Sequence, residues 1–134
     1  MPRVGRPPVL AAATIGVALL ALPASAQAAK TFSVPFDENQ AALSKAGQAA
    51  VGMAVEMAQE CSEASVIIAG YDDGAKADEI SLSRAQAVHK AMVDAGGVGG
   101  GPGAFKVSGH GARELKVPGP NPPSRRVDIR VSCK

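Results

Sequence analysis

The stretch "YDDGAKADEISLSRAQAV" sets two adjacent carboxylates, Asp72 and Asp73, upstream of a lone arginine, Arg84. A carboxylate accepts hydrogen bonds from an ammonium, and the planar fork of a guanidinium donates two parallel bonds to a carboxylate. Held apart at the mouth of a cleft, the two groups could grip both ends of one zwitterionic ligand. Held together, they would form an ordinary ion pair within the chain. Residue chemistry alone leaves both arrangements open.

Other chemistry is poorly served. Ser81, Ser83 and His89 fall on one stretch of chain at spacings that do not converge on a reacting atom, so no nucleophile–base–acid set is expected. The histidines are His89 and His110, and neither H-x₃-H nor C-x₂-C spacing occurs, so neither a metal nor another cofactor is expected. The glycine-rich "GGVGGGPG" follows a predicted helix rather than opening one and lacks G-x-G-x-x-G spacing, which argues against a phosphate cradle. A formal net charge of +2 with 3% aromatic residues offers little to a nucleic acid.

The elements that would position these groups read as follows. Thr31 to Phe36 alternates as a short strand. Ser44 is a plausible N-cap for a helix to about Glu60, with Ala46, Ala50, Met53 and Met57 on its core face. "ASVIIAGY" is an apolar run suited to a buried central strand. Asp78 is the expected N-cap of a second helix to about Ala95. Phe105 to Gly109 and Arg126 to Val131 are two further strands, joined by a proline-rich connection. The order β-α-β-α-β-β predicts an α/β sandwich, a mixed sheet with two helices on one face. On the second helix Arg84 lies at about 40° from Ile80, on the arc that carries Leu82, Ala85, Val88 and Met92. A guanidinium on that face needs partners.

The N-terminus, "MPRVGRPPVLAAATIGVALLALPASAQAAK", has a basic start, an uncharged run from Val9 to Leu22 and two A-x-A sites. The run is shorter than the about 20 residues that span a bilayer, so residues 1–28 read as a cleaved secretory signal. The mature chain is then expected to carry no membrane span. Cleavage after Ala28 would leave 134 − 28 = 106 residues, one domain. Cys61 and Cys133 allow one intramolecular pairing. An oxidising compartment favours that disulfide over two buried thiols.

"GYDD" at a strand end, "ISLSRAQAV" on a helix and the closing "RRVDI" resemble the OmpA C-terminal-like family shared by OmpA, Pal and MotB proteins, across residues 31–134. The resemblance implies the β-α-β-α-β-β fold and a non-catalytic periplasmic module that binds the peptidoglycan stem peptide at the zwitterionic end of diaminopimelate. It implies that Asp73 takes the ammonium and Arg84 the carboxylate, with Asp72, Arg125 and Asp37 as further contacts. It also leaves room for an envelope protein partner. Three departures stand out: Asp72 replaces a threonine, Ala77 and Ser124 replace asparagines, and the loop after Asp73 is about four residues short. They favour a rival reading, a structural or protein-interaction module on the same fold that has lost the ligand.

Overall fold

The computed structural model describes residues 29–98, 101–113 and 122–134. The expected signal segment, residues 1–28, lies outside them, as does most of the proline-rich connection before the last strand.

Four strands and two α-helices follow the predicted order: β1 (Ala29–Pro35), α1 (Lys45–Gln59), β2 (Ala64–Gly70), α2 (Ala77–Asp94), β3 (Phe105–Gly109) and β4 (Arg126–Cys133). Short 3₁₀ turns precede β3 and β4. The sheet runs β1-β4-β2-β3. The central strand β4 is antiparallel to both β1 and β2, whereas β2 and β3 are parallel and joined through α2. Both helices cover one face of this mixed sheet.

Alternation along the strands decides what that face contains. Phe32 and Val34 of β1, Val66 and Ile68 of β2, and Val127, Ile129 and Val131 of β4 point into the core. Their neighbours Thr31, Ser33, Asp128 and Arg130 are polar and share the other side. Ile67 lies on that uncovered side and is 41% exposed, so β2 is central by position yet half-solvated, not buried on both faces as its apolar run predicts.

Helix α1 starts where expected, with the Ser44 hydroxyl accepting from the Gly47 amide at 3.1 Å. Its buried stripe is Gly47, Ala50, Val51, Ala54, Val55 and Ala58. Of the predicted core face only Ala50 is fully inside: Ala46 is exposed, Met53 is 53% exposed and Met57 is half-buried. The stripe of small and β-branched residues brings the helix close to the sheet and pushes the longer methionines to the margin.

Helix α2 starts at Ala77, one residue before the predicted N-cap. Lys76 occupies the cap position without a side-chain bond, and Asp78 lies within the first turn. The helix lies against two glycines. A Cβ on Gly70 would collide with the Ser81 carbonyl, and one on Gly109 would meet the Leu82 backbone at 2.6 Å. Only glycine at the ends of β2 and β3 lets the helix pass this closely. Far from those glycines, Cys61 and Cys133 form a disulfide with Cα atoms 5.3 Å apart, fastening the chain just after α1 to the end of β4.

Candidate functional site

The close passage of α2 over Gly70 and Gly109 drives the first turns of the helix inward. Ser81 and Arg84 are both completely buried. Ser81 donates to the Asp78 carbonyl at 3.1 Å and accepts from the Gly111 amide at 2.9 Å, so its hydroxyl is used in both directions.

Arg84 reaches back along the helix to the junction of three segments. Its Nε donates to the Gln40 carbonyl at 2.7 Å and its Nη2 to the Asp37 carbonyl at 2.9 Å, both in the connection after β1. Its Nη1 donates to the Tyr71 carbonyl at 3.1 Å and to Asp72 Oδ1 at 2.6 Å, at the end of β2. Phe36 covers the guanidinium with its ring centroid 5.3 Å away. A charge at zero exposure is tolerable only with this degree of satisfaction. Asp72, 2% exposed, is fixed as firmly: its second carboxylate oxygen accepts from the Gly74 amide at 3.0 Å, and its own amide donates to the Gly111 carbonyl.

Asp73 points elsewhere. Its Oδ1 lies 3.4 Å from Nε of Arg125, and the two side chains are 4% and 16% exposed. Arg125 sits immediately before β4, where its carbonyl accepts from the Phe36 amide and that of Arg126 accepts from the Tyr71 amide. These bonds extend the sheet past its formal ends and hold both aspartates beside the two arginines. Arg125 also lines a groove of ≈ 470 Å³ with Ser33, Pro35, Pro123 and Arg126.

The five residues singled out by sequence are thus brought to one place but paired differently. The expected partners Asp73 and Arg84 are not coupled. The substituted Asp72 takes Arg84, and Asp73 takes Arg125. Arg84 lies at the centre of the buried face rather than at a solvent-reaching helix end, because the glycine contacts press its turn onto the sheet. Asp37 contributes its main-chain carbonyl, and its residue is exposed.

An aromatic ladder beside the site was not anticipated. Arg126 lies 4.5 Å over the Tyr71 ring, which stacks on His110 at 5.3 Å and 17°. Arg126 also makes a forked bond to Asp128, and Ser108 bonds the His110 ring at 3.1 Å. The only sequence cue was that Tyr71, Arg126 and His110 each adjoin a strand end. His89 is half-buried, edge-on against Phe105. Among the described residues no group of His, Cys, Asp and Glu is placed to hold a metal ion, and no helix is long and apolar enough to cross a membrane.

Comparison with known proteins bears on the same region. The model of the OmpA family matches residues 35–128. No curated protein sequence matches. Among solved structures, the OmpA-like domain of FopA1 from Francisella tularensis is similar at a TM-score of 0.68 and 23% identity, covering 78% of this chain and 73% of that one. The peptidoglycan-associated lipoprotein from Burkholderia pseudomallei is similar at 0.65 and 20%, covering 75% and 89%. The cell wall anchor of the T6SS from Pseudomonas aeruginosa is similar at 0.63 and 17%, covering 83% and 90%. At these identities the likeness establishes the fold.

Proposed function

This chain belongs to the OmpA family, and on that premise we propose that it is a non-catalytic, periplasmic module that associates with peptidoglycan. The ligand end is the free amino acid terminus of a diaminopimelate-containing stem peptide. Two of the structural neighbours are named as peptidoglycan-associated and as a cell wall anchor, which supports the class of partner. The observation that carries the reading for this chain is the convergence of Asp72, Asp73, Arg84 and Arg125 where β2 gives way to α2.

Of the two ion pairs there, the outer one is the better grip. At 3.4 Å it is longer than the 2.7–2.9 Å of a strong charge-assisted bond. Parting it would let Asp73 accept from an ammonium while Arg125 donates to a carboxylate, with the groove beside Arg125 to take the rest of the peptide. Arg84 and Asp72 form the floor beneath.

A second reading, an envelope scaffold without wall binding, is favoured by one fact: the Arg84 guanidinium is fully enclosed and bonded within the chain. Co-sedimentation with purified sacculi separates the two. The peptidoglycan reading expects the wild type to sediment with sacculi, and Arg125→Glu and Asp73→Asn to stay in the supernatant with unchanged circular dichroism. A wild type that does not sediment, or folded variants that still do, would favour the scaffold.

A further inference from the structure

Strand β1 pairs with β4 along one edge, and among the described residues nothing pairs with the other edge. The Phe36 amide donates to the carbonyl of the opposite residue, Arg125, at 2.9 Å, one step beyond the Pro35–Arg126 pair. Hydrogen-bonded pairs alternate along an antiparallel ladder. Val34, Phe32 and Lys30 therefore turn their main-chain groups to β4, and Thr31 and Ser33 turn theirs to the outer edge. Both of these residues are exposed. Pro35, next in the outward series, has no amide to leave unpaired.

A groove of ≈ 300 Å³ accompanies that edge on the helix face of the sheet. It is lined by Lys30 and Phe32 of β1 and by Met53, Glu56, Met57 and Glu60 of α1 and its C-cap. Its floor is apolar and adaptable, because thioether side chains reshape easily around what they touch. Its rim is acidic. Glu56 and Glu60 stand one helical turn apart, both exposed, and neither has an ion-pair partner among the described residues. The groove's cation, Lys30, lies over the Phe32 ring at 5.4 Å from its centroid.

We infer that this edge receives an extended, basic segment of a partner protein as an added strand. The segment's main chain completes the outward bonds of Thr31 and Ser33, the source of affinity in strand addition. Its residue opposite Phe32 projects onto the same face as Phe32 and, when apolar, fills the space between that ring and the two methionines. A lysine or arginine two residues away shares this face and reaches Glu56 and Glu60, which would repel an acidic segment. Two carboxylates against one ammonium set that preference. The groove beside Arg125 is lined by Ser33 and Pro35, on the other face of β1, so this inference does not depend on the peptidoglycan reading.

The test is an NMR titration of the protein with a blocked peptide, Thr-Lys-Thr-Val-Thr-Lys-Thr, whose valine and lysines share one face when extended. The amides of Thr31 and Ser33 and the methyls of Met53 and Met57 are expected to shift together. The same peptide with glutamate for both lysines is expected to bind about tenfold or more weakly. The double variant Glu56→Lys/Glu60→Lys, changed only at exposed positions, is expected to reverse the preference and take the glutamate peptide. No response to the lysine peptide, shifts that miss these residues, or equal binding of the two peptides by wild type overturns the inference. If the same signals instead move with protein concentration alone and sedimentation velocity gives a dimer, the occupant is a second copy and the basic partner is ruled out.

Discussion

The inner and outer ion pairs are made from adjacent aspartates, yet their surroundings separate them. Asp72 and Arg84 meet at 2.6 Å with side chains 3% and 0% exposed, and main-chain groups bond all three guanidinium nitrogens and the second carboxylate oxygen. Asp73 and Arg125 meet at 3.4 Å beside a groove. The difference lies in length and in partners: the inner pair is short and its arginine is bonded to three main-chain carbonyls, whereas the outer pair is longer and its arginine is 16% exposed. Adjacent carboxylates can therefore divide the work. One fastens the loop after β1 to the end of β2, and the other meets the residue that leads into β4.

The largest expected effect comes from breaking the inner pair. Arg84→Met strands Asp72 and three carbonyls, and should lower unfolding free energy by about 3–5 kcal/mol in urea titration. Reduction of the Cys61–Cys133 disulfide comes next. Its loop spans a sequence separation of 72 residues, and its loss should cost about 2–4 kcal/mol in chemical denaturation under reductant. Because it lies at the far end of β4 from both pairs, sacculus binding by the still-folded reduced protein should be unchanged. Ser81→Ala leaves the buried Gly111 amide unpaired and should cost about 1–3 kcal/mol, read from the same titration. Arg125→Gln should cost about 1–3 kcal/mol, less than Arg84→Met because the amide can still donate to Asp73, while removing sacculus binding. A loss for Arg125→Gln as great as that for Arg84→Met would erase the contrast between the pairs.

The smallest effect marks the solvent limit of the same comparison. Lys90 is fully exposed, and its hydrogen bond to Asp94, reinforced by the opposite charge, raises its pKa above the ordinary 10.5. A raised lysine pKa contributes stability that is complete below the ordinary value and disappears as pH climbs through the folded value. Lys90→Gln should therefore melt marginally below wild type near neutrality, with the two curves merging at strongly alkaline pH.

Much of this arrangement was legible in the residues. The element order, the β3 boundaries, the Ser44 cap and the position of Arg84 on an apolar arc all follow from local periodicity and capping. What local pattern could not give is how closely α2 lies on the sheet. That depends on Gly70 and Gly109 meeting across distant segments, and it decides that Arg84 is sealed. The pairing of the aspartates was equally hidden, since adjacent residues with the same chemistry differ only in the direction a turn sends them. Asp78 was misassigned as a cap because its type fits, whereas the helix begins a residue earlier and its carboxylate bonds Arg113 at 3.1 Å. The methionines of α1 misled because size was read as core character, while the sheet admits the smaller stripe.

The register of β1 has a further consequence. Its partner is β4, and Ser33 bonds Asp128 across a separation of 95 residues. As the chain emerges, β1 must remain without this neighbour until residues 126–133 have followed. Contacts so distant along the chain slow folding. An unpaired strand carrying Phe32 and Val34 is adhesive in the interval. A purified fragment ending before Arg126 should bind a holdase on dilution from denaturant, and the chain that includes the final strand should refold and escape it.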